Sequence, residues 1–161
     1  MNTRSLSIEI IDPSLADNHI WKKLITSFAV IGQTFEIHCW REETEEINAA
    51  LQYGSQKKAD WEYGTIIEGT IDDHFLNMLY HTQKPVNTRV PNKMTPFFSI
   101  FLENGFSSEH YGTELHILTA PVNDSGFMIL LEQLQEYAII HEISSESFSY
   151  GNIASPDPIL N

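Results

Sequence analysis

The sequence predicts an α/β protein, with α+β as the close variant, in which about four helices pack on a single mixed β-sheet. Three observations carry that expectation. Segments of period-two alternation, such as residues 5–11 and 33–40, are interspersed with stretches whose apolar side chains recur every three or four positions. At least one pair of strands reads as an adjacent hairpin, around Asn104-Gly105. At 161 residues, 42% hydrophobic and 19% charged, the chain has the size and composition of one globular domain. That domain is expected over residues 1–143, with 144–161, rich in Ser, Asn and Pro, as an irregular tail.

The elements follow in order. Leu6, Ile8 and Ile10 alternate with Ser5, Ser7 and Glu9, the pattern of a half-buried strand, which Asp12-Pro13 ends. A helix is expected from Pro13 or Ser14 to about Phe28, because Leu15, Ile20, Trp21, Leu24, Ile25 and Phe28 fall mostly at helical spacing. Phe35, Ile37 and Cys39 then oppose Glu36, His38 and Trp40, a second strand. Glu42, Glu43, Glu45 and Glu46 suit the N-terminus of a short helix that Gly54 closes. Residues 55–60 read as polar linker and 61–71 as a strand broken by Gly64 and Gly69. Asp72 caps a helix reaching about Tyr80. The stretch 86–96, with Pro91 and Pro96, is the longest irregular segment.

Residues 97–103 form an aromatic-rich strand. The returning strand begins at Phe106, or residues 104–113 form a longer loop before Leu115, Ile117 and Thr119; Gly112 favours a bulge or the loop. The strongest helix signal starts at Asp124 or Ser125, where Phe127, Leu130, Leu131, Leu134 and Ala138 recur at the helical interval. Residues 138–143 suit a last strand.

Charge narrows the function. Nine Lys and Arg against 22 Asp and Glu give a net charge of −13, which argues against nucleic acid as a ligand. Every fixed cation lies at or before Lys93, and residues 94–161 carry nine acids and no Lys or Arg. A field of that kind steers a basic partner toward the chain. It equally suits a surface whose task is solubility. No apolar run is long enough to span a bilayer, so no membrane partner is expected. The lone Cys39 excludes an internal disulfide and makes a reducing, cytoplasmic setting the expectation.

Catalytic patterns are mostly missing. The eight glycines form neither GxGxxG nor GxxxxGK[ST], and Gly105-Phe106-Ser107-Ser108 lacks the second glycine of a nucleophile elbow. His38 and Cys39 are strand neighbours pointing to opposite faces, so that imidazole cannot activate that thiol. Seven histidines leave one metal-site alternative, in which a loop before a strand gathers His110, Glu114 and His116 into a small metal-dependent enzyme or ligand-binding site. His74 and His81 lie two helical turns apart, too far to share an ion.

The reading that remains is a non-catalytic, acidic protein-binding module, similar in manner to an antitoxin or immunity protein that neutralises a basic toxin, with no cofactor implied. Its binding residues are expected to be Glu42, Glu43, Glu45 and Glu46, with Glu132 and Glu136 of the last helix, and Trp40 as the desolvated anchor. Trp40 carries that role if the His38 face of its strand is open; helices on both faces would bury it instead.

Overall fold

The period-two alternation of the first two strands resolves into an eight-stranded sheet in a computed structural model, which describes residues 4–13, 16–59, 61–86 and 92–144. The elements in chain order are β1 (Arg4–Ile10), α1 (His19–Phe28), β2 (Thr34–Trp40), α2 (Thr44–Ala50), β3 (Ser55–Lys57), β4 (Gly64–Thr70), α3 (Asp73–His81), β5 (Ser99–Leu102), β6 (Phe106–Glu109), β7 (Glu114–Ile117), α4 (Ser125–Leu134) and β8 (Ala138–Ser144). The strand order is β3-β4-β2-β5-β6-β7-β1-β8, and every ladder is antiparallel. One sheet with four helices is the expected α/β architecture, realised in its α+β form, with the sheet antiparallel in every ladder rather than mixed.

Alternation assigns the two faces. Leu6 and Ile8 of β1 pair with Ile117 and Leu115 of β7, and Phe35 and Ile37 of β2 pair with Leu102 and Ile100 of β5. All of these are buried, and they join one core cluster with Trp21, Leu24 and Ile25 of α1, Ala50 of α2, Phe75 and Leu79 of α3 and Phe127, Leu131 and Leu134 of α4. Phe35 stacks on Phe75 at 4.0 Å between ring centroids. All four helices therefore cover the same face, since a helix buries its apolar stripe where the strands present theirs. Among the described residues the opposite face carries no helix. That uncovered face is what positions the site below.

Boundaries differ from the expectation in places with identifiable causes. α1 starts at His19 rather than near Pro13; Lys84 Nζ donates to the carbonyls of Pro13 and Ala16 at 2.6 Å each and holds those two residues outside the helix. Ser14 and Leu15 themselves lie outside the described residues. Residues 55–57 are not linker but the edge strand β3, paired with Ile66, Ile67 and Glu68. The return strand does begin at Phe106, after a turn in which the Gly105 N–H donates to Leu102 O and Gly105 alone of 103–105 has positive φ. That is the three-residue hairpin with a left-handed glycine, not a two-residue type I′ turn. The expected 144–161 tail lies, beyond Ser144, outside the described residues.

Candidate functional site: the uncovered face of the sheet

The residues that alternate with the core build this face. In the strand register Glu9 lies opposite Glu114, and Glu114 lies opposite Glu109, so three carboxylates stand side by side on β1, β7 and β6. Like charges directly opposite one another destabilise a sheet. Two histidines offset part of that cost: His110 Nδ1 is 3.0 Å from Glu114 Oε2, and His116 Nε2 is 3.3 Å from Glu109 Oε2. The Ser107 hydroxyl also donates to Glu109 Oε2, at 3.0 Å. Glu9 is exposed.

Farther across the face, Glu36 on β2 binds Lys57 Nζ at 2.7 Å and His38 Nε2 at 3.0 Å. These contacts, the lysine first, hold the Glu36 carboxyl below its ordinary range, and the same pair raises Lys57. Glu68 stands opposite Glu36 on β4, with Lys57 Nζ 3.9 Å away. Among the described residues of these paired strands, the face therefore carries the carboxylates of Glu9, Glu36, Glu68, Glu109 and Glu114 against the ammonium of Lys57.

An aromatic cluster closes one end. Trp40, half-buried, lies 4.8 Å from Phe98 and 5.2 Å from Trp61 between ring centroids. His38 stacks obliquely on Phe101 at 4.7 Å, and Phe98 meets His110 edge-on at 5.5 Å, linking the aromatics to the glutamate row. Trp61 can lie flat on the sheet because residue 64, opposite Trp40, is glycine: a Cβ there would strike the Trp61 ring.

Beneath Trp40 sits a buried polar clamp. Glu43 Oε1 accepts from the Trp40 N–H at 2.8 Å, while Glu43 Oε2 accepts from the Tyr111 hydroxyl at 2.9 Å and lies 3.7 Å from Lys93 Nζ. The Lys93 ammonium rests 3.9 Å above the Tyr111 ring, a cation–π contact. Burial first, then the Glu43 carboxylate, push the Tyr111 hydroxyl well above its ordinary range. Burial pushes the adjoining Cys39 thiol up to about 12, which leaves it a neutral core residue. His110 and Tyr111 both hold left-handed backbone, at φ 50° and 60°. Such strain persists only where surrounding contacts over-determine it. Here the Tyr111 N–H donates to Phe98 O at 3.0 Å and its carbonyl accepts from the Met94 N–H at 2.8 Å.

The residues singled out from sequence are distributed unevenly over this geometry. Trp40 is on the uncovered face. Glu43 is partly buried within the clamp, so it shapes the surroundings of Trp40 rather than facing solvent. Glu42 and Glu45 are exposed and Glu46 half-exposed, at and just before α2. Glu132 and Glu136 are exposed on and just after α4. α2 packs on β2 and β4 whereas α4 packs on β8 and α1, and β2 and β8 stand five strand spacings apart, about 24 Å. The two acidic groups are therefore not brought together. His110 and His116 take different carboxylates, Glu114 and Glu109, and among the described residues no three His, Cys, Asp or Glu side chains converge to hold a metal ion.

Glu9, Glu36, Glu68 and Glu109 are the members of this face that sequence reasoning did not single out as binding residues. Period-two alternation already put Glu9 with Ser7, and Glu36 with His38 and Trp40, opposite the core; which strands adjoin was the missing fact. Among the described residues no helix is long and apolar enough to cross a membrane. Compared with known proteins, the chain matches no family model, no curated protein and no solved structure.

Proposed function

We propose that this chain is a non-catalytic binding module that holds a basic protein partner on the uncovered face of its sheet, in the manner of an antitoxin or immunity protein masking a cationic surface. The observation that supports this most is the row Glu9, Glu114 and Glu109 on three adjacent strands. A sheet selected for stability alone would not set carboxylates directly opposite each other; a cationic side chain laid across the row turns that repulsion into attraction. The aromatic cluster beside the row offers ring faces to a guanidinium, and Trp40 is its anchor. Steering comes from the net charge of −13. The acids at and before α2 flank the aromatic end and extend the negative field there, whereas Glu132 and Glu136 act at long range only.

The test is a titration of the ¹⁵N-labelled chain with an arginine-rich peptide. Shifts are expected at Glu9, Glu109, Glu114 and the Trp40 and Trp61 indoles, weakening as salt is added. Shifts centred on α1 and α4, or none, would overturn the reading.

A further inference from the structure

The two edges of the sheet are built differently. At one edge β3 has three residues and ends in Lys57, the short, charged form that discourages pairing with another chain. At the other, β8 runs seven residues, Ala-Ile-Ile-His-Glu-Ile-Ser, without lysine or proline. Its hydrogen-bonding side follows from the ladder. The Ile11 N–H donates to Tyr137 O at 3.0 Å, and bonding alternates along an antiparallel pair. Hence Ile139, His141 and Ile143 turn their main-chain groups toward β1, while Ala138, Ile140 and Glu142 turn theirs outward. Among the described residues no strand pairs with that outward side.

We propose that β8 pairs antiparallel with β8 of a second copy of this chain, extending the sheet across a two-fold axis at His141. This goes beyond the binding reading and does not depend on it. The occupant is a strand because unpaired N–H and C=O groups in extended register are satisfied by another strand. It is a second copy because the sequence is self-complementary in one register. Centred on His141, all seven residues find partners, Ile139 meets Ile143 of the other copy, and Glu142 meets Ile140 rather than another glutamate. Arg4, with its Nε 3.2 Å from Glu142 Oε1, already compensates the one carboxylate of the strand. Ile139 is 43% exposed, and α4, which packs on β8, adds the exposed side chains of Met128 and Ile129 as an apolar shoulder beside the edge.

Sedimentation equilibrium of the full chain tests this. The expected mass is twice the chain's 18.4 kDa, with the dimer fraction rising as salt screens the mutual repulsion of two copies of charge −13. Arginine-peptide binding has the opposite salt dependence, so failure of one reading is distinguishable from failure of the other. Ile139→Lys places a charge on the edge and is expected to give monomer with unchanged circular dichroism. His141→Cys is a second, independent probe. Residue 141 would face its own copy at a non-hydrogen-bonded position, where Cα atoms are about 4.5 Å apart, within disulfide range. A disulfide-linked dimer is expected on mild oxidation, because Cys39 is buried. Monomer at every concentration and salt would overturn the proposal, as would a dimer that ignores Ile139→Lys or leaves His141→Cys uncrosslinked.

Discussion

The same strands present two unlike faces, and the difference separates the residues that fold the chain from those proposed to meet a partner. On the helix-covered side Ile8, Phe35, Ile37, Ile67, Ile100 and Leu115 are all at most 1% exposed and belong to one core cluster. On the other side, one residue along each strand, stand Glu9, Glu36, Glu109 and Glu114 with their histidines, and the half-buried Trp40. Burial explains the apolar choices on the first face. It explains few on the second, where like charges face each other at a cost to stability.

The contrast predicts opposite responses to substitution. The largest effect belongs to the covered face: Phe35→Ala removes a stacked, fully enclosed ring and is expected to destabilise the fold by about 3–5 kcal/mol, read by urea unfolding. Next come the helix caps that hold the cover in place. Asp124 Oδ1 accepts from the Phe127 N–H at 2.9 Å, so Asp124→Ala should lose about 1 kcal/mol in the same measurement. At the glutamate row of the open face the sign reverses. Glu9→Gln removes one member of a like-charge pair and is expected to raise stability by about 0.2–1 kcal/mol while weakening binding of an arginine-rich peptide. A loss of stability there would mean that Glu9 belongs with the structural residues.

A smaller effect separates the faces by pH. Glu36 titrates below the ordinary carboxylate range in the fold because Lys57 and then His38 bind its charged form. A depressed native value means its stabilising contribution is complete above the unfolded carboxylate range and is lost as pH falls through the native value. Glu36→Gln is therefore expected to flatten the acid limb of the unfolding midpoint plotted against pH, whereas Phe35→Ala lowers that curve uniformly. On the covered side, the Cys39 thiol, raised to about 12 by burial, should resist alkylation at neutral pH until the chain is unfolded.

Much of the covered face could be read from sequence, because its signal is local. Leu6-Ile8-Ile10 and Phe35-Ile37-Cys39 announce both the strands and the side that is buried, and Phe127, Leu130, Leu131 and Leu134 announce α4. β3 could not be read: Ser55, Gln56 and Lys57 have no alternation of their own and are a strand only because β4 pairs with them. The same limit hid the glutamate row. Glu9, Glu109 and Glu114 lie about 100 residues apart at the extremes, and nothing local states that β7 sits between β1 and β6. Composition carried the correct sign of the charge, but grouping the acids by sequence joined Glu42–Glu46 with Glu132 and Glu136, which the fold holds over different strands. The clamp around Glu43 was likewise illegible, since Lys93 and Tyr111 reach it from loops distant in sequence.

The open face as a cation-binding surface is tested most directly by the affinity of an arginine-rich peptide for the native chain and for a triple variant, Glu9→Gln, Glu109→Gln and Glu114→Gln, measured across ionic strength. Removing the row is expected to weaken binding at low salt by at least about tenfold, roughly 1.4 kcal/mol, and to flatten the salt dependence, with the fold intact by circular dichroism. Equal affinity and equal salt dependence in the two proteins would contradict it.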